Sequence, residues 1–244
     1  MPVHVHTTIP LAAIIISAWS VWTRRLTWTS RWEWPQTLTV AASAAATALV
    51  TPISEDVLGS SLRNHTGVHN LHLLAAHLLF VVALASAAFG FLMRLAHPDE
   101  LRRQATMLIW RPAGFAAAAM ITAFILFNCG GHPAADLERW QVASYVVTAA
   151  PACLWLGGLI ITQLIHLRQF PRHRPFADLY LLAALAAFTA TGCELLKALS
   201  APFMPNDVVV TVASCAWVGV FALTAGWSWR RKISGFSALR SAVK

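Results

Sequence analysis

Charged residues are scarce in this chain. Of its 244 residues only 11% are Asp, Glu, Lys or Arg, while 57% are hydrophobic. Soluble proteins have about 25% charged residues, because water-facing surfaces need them. A chain with so little charge cannot cover a soluble domain, so the composition excludes that class and predicts lipid as the main solvent of its surface.

Several signatures of known chemistry are missing as well. The four cysteines show no paired spacing, and there is no phosphate-binding Gly-Lys-Ser/Thr loop, no His-Glu-x-x-His and no Gly-x-Ser-x-Gly. The segment from Met1 to Pro10 has neither a positively charged region nor a small-residue cleavage site, so we expect no removable signal peptide. We predict a non-enzymatic protein without catalytic residues or an organic cofactor.

Seven apolar stretches are present, and a bilayer core needs about 20 mainly apolar residues in helical form. The fold class predicted is therefore all-α, a seven-helix transmembrane bundle that forms a single domain over residues 1–232 and ends in a short basic tail, 233–244. The predicted spans are Ile9–Trp22, Thr37–Ile53, Leu71–Met93, Pro112–Cys129, Val142–Leu167, Ala177–Leu199 and Val208–Trp227.

Basic residues are concentrated in alternate connectors. The segments 24–31, 94–111, 168–174 and 230–244 hold 15 of the 18 Lys and Arg residues. Such alternation predicts that these connectors are cytoplasmic, with the amino terminus outside and the carboxyl terminus inside a multi-pass protein of the cell membrane. The formal charge of +8 does not indicate a nucleic-acid partner, because the charge is spread over connectors. The clusters Arg102-Arg103 and Arg230-Arg231-Lys232 are expected to contact anionic lipid.

The second span is rich in small residues, and the connector after it is long. Residues 41–48 are mostly alanine, which predicts close contact with neighbouring membrane helices. The connector from Thr51 to Asn70 is the longest. Ser54 followed by two acidic residues is typical of a helix start, so we expect a short interfacial helix from there, lying over the outer face.

Histidines cluster before and within the third span. His69 and His72 would lie about 60° apart on a helix, close enough to bind one metal ion. His65 and His132 would complete the site from other elements, so a metal ion is the one cofactor that the sequence suggests. The alternatives are a site that responds to protons or ligand, and interfacial histidines that only form hydrogen bonds.

Glu194 is the one carboxylate clearly inside a predicted span, and Lys197 follows on nearly the same helical face. Charges within a span usually face the protein interior, so we predict an outward-facing pocket for a small ligand or proton, formed by His77, Glu194, Lys197 and Asn128. The alternative is that Lys197 extends to the lipid headgroups and Glu194 neutralises it.

The stretch from Val68 to Leu79, VHNLHLLAAHLL, resembles an uncharacterised family of actinobacterial multi-span membrane proteins that are often labelled transporters. His97-Pro98, the following arginine pair and TGCELLK at 191–197 extend the resemblance. The family commonly has proline where this chain has His69, and longer members continue into a cytoplasmic domain, whose output function is not carried over. The histidine spacing is also loosely similar to the copper-delivery membrane proteins of oxidase assembly.

Three functions follow from these observations. The first is a transporter-like or sensor-like bundle with the outward pocket just described. The second is a membrane protein that handles metal through His69 and His72, as the copper-type resemblance implies. The third is a structural or partner-binding membrane subunit, for which the alanine-rich second span would be the contact surface.

Overall fold

A computed structural model describes residues 3–129, 134–171, 173–199 and 207–242. All regular secondary structure in these ranges is helical, which confirms the predicted all-α class. The ranges include five helices that are long and apolar enough to cross a bilayer, so the chain has the architecture of a polytopic membrane protein. These helices are Leu71–Leu95, Pro98–Leu126, Val146–Arg168, Arg174–Leu199 and Val208–Ser234.

The third to seventh predicted spans each coincide with a helix. The last of these helices does not stop at Trp227 but continues to Ala242, so the predicted basic tail begins as helix. Its 36 residues correspond to about 54 Å at 1.5 Å per residue, which is longer than a bilayer core. The helices are α5 (Leu71–Leu95), α7 (Arg111–Cys129), α8 (Ala134–Arg168), α9 (Arg174–Leu199) and α10 (Asp207–Ala242).

The first two predicted spans are less regular. Helix α1 (Val3–Thr23) has a shorter apolar segment, Thr7–Thr23, whose length is near the lower limit for crossing a bilayer. Helix α2 (Trp34–Leu49) has 16 residues and ends before the predicted boundary at Ile53. The axis then turns by 68° into the helical segment Pro52–Thr66. The described helices of spanning length therefore number five, or six if this bent pair is one span.

The bend has a local cause. Proline disfavours helical backbone at the residue before it, so Thr51-Pro52 ends α2 and starts a new helix. That helix consists of α3 (Pro52–Ser54), a π-helical turn from Glu55 to Gly59 and α4 (Ser60–Thr66). The expected interfacial helix is thus present, but Ser54 does not cap its start: its hydroxyl donates to the Ala48 carbonyl at 2.6 Å and so caps the end of α2.

Helix α5 lies at the centre of the bundle and packs mainly against α2, α7 and α8. Ala83, Ala87 and Ala88 are fully buried on it, and small side chains let membrane helices approach closely. The buried face of α2 includes Ala42 and Ala46. That face packs within this chain, while Ala41, Ala44, Ala45 and Ala48 of the same helix are only partly buried, so the contact surface that the third function requires stays a prediction.

A π-helical turn, Thr106–Trp110, joins α6 (Pro98–Ala105) to α7. In an unbroken α-helix the Leu108 carbonyl would accept a hydrogen bond from residue 112, but Pro112 has no N–H. The indole of Trp155 on α8 donates to this carbonyl instead, at 2.8 Å. The turn is therefore fixed by a bond between two helices.

Helices α1 and α10 approach closely. The Ser20 hydroxyl donates to the Ala222 carbonyl at 2.8 Å. Gly226 faces the Trp19 ring, and a Cβ at position 226 would lie only 2.7 Å from that ring. A larger residue would force either the ring or the helices to shift, so the glycine permits this close approach.

Candidate functional site

The most deeply buried charge in the described residues belongs to Arg24, which follows the end of α1 and has a fully buried side chain. Its guanidinium bridges three parts of the fold. Nε donates to the Thr37 hydroxyl at 3.1 Å, Nη1 to the Ala225 carbonyl at 2.9 Å, and Nη2 to the Glu33 carboxylate at 2.9 Å. Nη2 also donates to the Glu33 backbone carbonyl at 3.2 Å. Arg24 therefore ties α1 to α2 and α10.

Glu33 stands directly before α2 and binds two cations. One carboxylate oxygen accepts from Arg24 and the other accepts from Lys232 of α10. Burial alone would raise the pKa of Glu33. The hydrogen bond and charge of Lys232, with the charges of Arg24 and Arg94, outweigh burial and hold this pKa below its ordinary value. Glu33 is therefore ionised at neutral pH.

These contacts give the last basic cluster a structural role beside the lipid contact that the sequence predicts. Lys232 does not simply face lipid, since it binds Glu33 across the bundle end. The two neighbouring arginines form cation–π contacts. The guanidinium of Arg230 lies 4.8 Å from the Trp19 ring centre, and that of Arg231 lies 5.8 Å from the Phe176 ring centre. The cluster is part of the folded structure, although its outer surface is exposed.

A cavity of about 1320 Å³ opens beside this network. It brings together residues from all four connectors that the sequence marks as basic. The residues that line it are Ser30, Trp32, Glu33, Phe91, Met93, Arg94, Leu164, Leu167, Phe170, Pro171, His173, Pro175, Phe176, Ala177, Tyr180, Ser228, Trp229, Arg231 and Lys232. We call it the basic cavity.

The charge of the basic cavity is unbalanced. Arg94, Arg231 and Lys232 line it, whereas Glu33 is the one carboxylate among the described lining residues. Both oxygens of that carboxylate are engaged, by Arg24 and Lys232. Neither Arg94 nor Arg231 has a carboxylate within 4 Å in the part of the chain that the structure describes. The cavity therefore attracts anions.

The inner wall of the cavity is aromatic and aliphatic. Phe91 of α5 packs against Tyr180 of α9, with ring centres 5.2 Å apart, and Tyr180 packs against Phe221 of α10 at 4.8 Å. The Tyr180 hydroxyl is buried and approaches Ser228 without a well-formed hydrogen bond. The inner wall is thus a tightly packed aromatic cluster that encloses one polar group.

The histidines near the third span are placed differently from the expectation. Asn70 has left-handed backbone and α5 begins at Leu71, so His69 precedes the helix. The 60° helical spacing predicted for His69 and His72 therefore does not apply. His72 is buried against Gly59, with its Nδ1 unpaired within the described residues, and His65 is exposed.

The described residues contain no group of three His, Cys, Asp or Glu side chains that could hold a metal ion. His132 lies outside the described residues, so the structure does not test the predicted four-histidine site as a whole. A metal ion held by His65, His69, His72 and His132 stays a prediction.

The predicted outward pocket is partly described. Nδ1 of His77 donates to the Leu73 carbonyl at 2.7 Å, within its own helix. Glu194 and Lys197 are half-buried near the end of α9 and interact with other groups of the chain. Helix α5 packs mainly against α2, α7 and α8, whereas α9 packs mainly against α8 and α10. The Asn128 side chain lies outside the described part, and the pocket stays a prediction.

Arg24, Glu33 and Arg94 were not among the predicted site residues. One signal was available: Glu33 is the first acidic residue of the chain and the one acid in its basic connector. Nothing in the local sequence indicated that both its oxygens would be bound by cations from different helices. Comparison with protein-family models, with curated proteins and with solved structures found no match to the chain.

Proposed function

We propose that the chain crosses the cell membrane seven times, with its amino terminus outside and the basic cavity on the cytoplasmic side. Support comes from the four basic connectors, which contribute to one cavity and so belong to one end of the bundle. Clustering of Lys and Arg at one membrane face is typical of the cytoplasmic side. In this arrangement α1 is a short first span, and α2 with its bent continuation is the second.

Two single cysteines test this topology. In a background with the native cysteines replaced, Ser30→Cys lies at the basic end and Ser61→Cys lies in α4 on the other side of α2. We expect a membrane-impermeant maleimide to label Ser61→Cys in intact cells, and Ser30→Cys only after the membrane is permeabilised. Equal labelling of both in intact cells would refute the proposed orientation.

We propose further that the protein is a non-enzymatic ligand-binding membrane protein, transporter-like or sensor-like, and that the basic cavity is its binding site. The observation that carries this proposal is the cavity itself: about 1320 Å³, lined by two arginines that have no carboxylate within 4 Å among the described residues and that contact aromatic rings. Ligand sites are typically concave and mainly apolar, with a few convergent polar groups.

A substitution inside the cavity tests the proposal. Ser228 lines the wall beside Tyr180, and its hydroxyl bonds only within α10. Ser228→Trp should crowd the cavity and lower ligand affinity by about tenfold or more. Ser234→Trp is the matched control, because Ser234 is exposed on the same helix and does not line the cavity.

The measurement is mass spectrometry of small molecules that remain bound when the protein is purified in lipid nanodiscs. We expect at least one molecule to be retained by the wild type and by Ser234→Trp but depleted from Ser228→Trp. If no retained molecule depends on position 228, while both variants unfold at the wild-type temperature, the cavity is not the binding site.

Metal handling is the second candidate, favoured by one observation: the buried, unpaired Nδ1 of His72. Neutral imidazole nitrogen is a common ligand of transition metals. Metal analysis of protein purified without a histidine tag tests it. We expect bound metal that is lost in His72→Ala and retained in His97→Ala, whose ring is exposed. Equal metal content in both variants would contradict this function.

A further inference from the structure

We propose that the basic cavity binds an anionic amphiphile, a molecule with one carboxylate or phosphate group on a hydrocarbon chain. Arg94 and Arg231 would hold the anionic group, and the aromatic wall would hold the chain. The inference rests on the proposed function, because it names the ligand class of the same cavity. Three features of the site lead to it: its charge, the setting of its arginines and its apolar wall.

The first feature is charge. Arg24, Arg94 and Lys232 lie near a single carboxylate, Glu33, and Arg231 lines the same cavity. Arg24 and Lys232 occupy both oxygens of Glu33, so its single negative charge is shared among more cations than it can balance. Arg94, Arg231 and Lys232 are exposed, so water screens part of their mutual repulsion, but the lining of the cavity keeps a net positive charge. A bound anion would offset that repulsion, whereas a cation would increase it.

The second feature is how the two arginines are held. The Arg94 guanidinium lies 5.9 Å from the Phe91 ring centre, and the Arg231 guanidinium lies 5.8 Å from the Phe176 ring centre. A ring that contacts a guanidinium in this way leaves N–H donors for another partner. The planar guanidinium matches carboxylate and phosphate oxygens with two parallel hydrogen bonds. The site therefore suits an oxyanion.

The third feature is the apolar wall. The apolar lining open to the cavity is formed by Phe170, Pro171, Pro175 and Phe176, while Phe91, Tyr180 and Leu164 lie almost fully buried behind it. An inorganic anion would leave this wall unused, and a volume of about 1320 Å³ exceeds the range of about 300–1000 Å³ that is usual for small-ligand sites. Burial of a hydrocarbon chain against such a wall is favourable. Charge and wall together favour an amphiphile.

The test uses full-length protein in an uncharged detergent, with binding measured by native mass spectrometry. Four probes separate the sources of the anionic group: decanoate, short-chain phosphatidylglycerol, short-chain phosphatidylcholine and inorganic phosphate. The test variant is Arg94→Gln/Arg231→Gln. The control is Arg102→Gln/Arg103→Gln, which removes the same charge from an exposed arginine pair outside the cavity.

We expect decanoate or phosphatidylglycerol to bind the wild type and the control, and to bind the test variant about tenfold more weakly or worse. Preference for phosphatidylglycerol would assign a membrane lipid, and preference for decanoate a free amphiphile. Arg94→Lys/Arg231→Lys keeps the charge but loses the paired donors, so we expect intermediate affinity. Thermal unfolding of each variant reports whether it is folded.

Several results would overturn the inference. Inorganic phosphate binding as tightly as either amphiphile would show that the wall is not used. Equal affinity of wild type and test variant would show that the two arginines are not the site, and equal binding of phosphatidylcholine would remove the anion requirement. If a retained molecule depends on Ser228 but not on the arginines, the ligand-binding function stands and only its anionic class is wrong.

Discussion

Glu33→Gln is the sharpest test of the network at the basic end. The substitution keeps the size of the side chain and one acceptor oxygen, but it removes the negative charge between Arg24 and Lys232. Arg24 keeps its bonds to the Thr37 hydroxyl and the Ala225 carbonyl, at 3.1 and 2.9 Å. It loses the one carboxylate that balances its charge in a fully buried position.

The expected loss follows from burial. Removing one partner of a buried ion pair typically costs about 3–5 kcal/mol, because the other charge stays buried without compensation. Lys232 is 46% exposed and returns to water, so its bond adds little. Since glutamine can still accept a bond from Arg24, we expect the lower end, about 3 kcal/mol. At about 2–4 °C per kcal/mol this lowers the unfolding midpoint by about 6–12 °C.

The assay is thermal unfolding in detergent, followed by circular dichroism. Glu100→Gln is the matched control: Glu100 is an exposed acid on α6 that contacts only Gln104 among the described side chains, and we expect a change within about 0.5 kcal/mol. The double variant Arg24→Met/Glu33→Gln should recover much of the loss, because the unbalanced charge is gone. A midpoint for Glu33→Gln equal to that of Glu100→Gln would refute the reasoning.

The same network sets a pH dependence. The pKa of Glu33 is lowered in the folded protein, so its contribution to stability is complete above the ordinary carboxyl value of about 4.3. It is lost as the pH falls through the lowered pKa. We expect the wild type to lose stability below about pH 4 more steeply than Glu33→Gln. Parallel stability curves for the two proteins would contradict this assignment.

Three further substitutions test the packing. Gly226→Ala should lower the unfolding free energy by about 1–3 kcal/mol because its Cβ would meet the Trp19 ring. The control Gly219→Ala has open space around it and should be neutral or stabilising. Equal unfolding midpoints for the two variants would contradict the close approach of α1 and α10. Trp155→Phe should cost about 1 kcal/mol by losing the bond to Leu108, and no change would show that this bond is unimportant. Gln163→Leu should raise the midpoint because its buried amide has no partner in the described residues, and a fall would point to a bound water or ligand.

Hydrophobic runs predicted most of the fold because, in lipid, length and apolar composition nearly decide which segments become helices. The predicted span Ala177–Leu199 lies within α9, for example. The end of α2 was missed for a local reason. Thr51-Pro52 was included in an apolar stretch, although proline disfavours helix at the residue before it and so marks a boundary.

The buried network could not be derived from one chain because the sequence does not distinguish Arg24 from its neighbour Arg25. Both follow the same apolar run, yet Arg24 is fully buried and Arg25 lies exposed over the Trp22 ring at 4.8 Å. The difference depends on the Ala225 carbonyl, 201 residues away. Long-range contacts of this kind determine which arginine is buried in the network and which stays exposed as part of the basic connector.

The π-helical turn between α6 and α7 affects how this chain tolerates changes in length. Such a turn holds one residue more than an α-turn, so deleting one residue between Thr106 and Trp110 would keep both flanks in phase, with Pro112 still interrupting the hydrogen bonds of the helix. The same deletion elsewhere in α7 would rotate the rest of the helix by about 100° and exchange its lipid-facing and interior surfaces. This turn is therefore the point in α6–α7 where the chain can be shortened with the least disruption of packing.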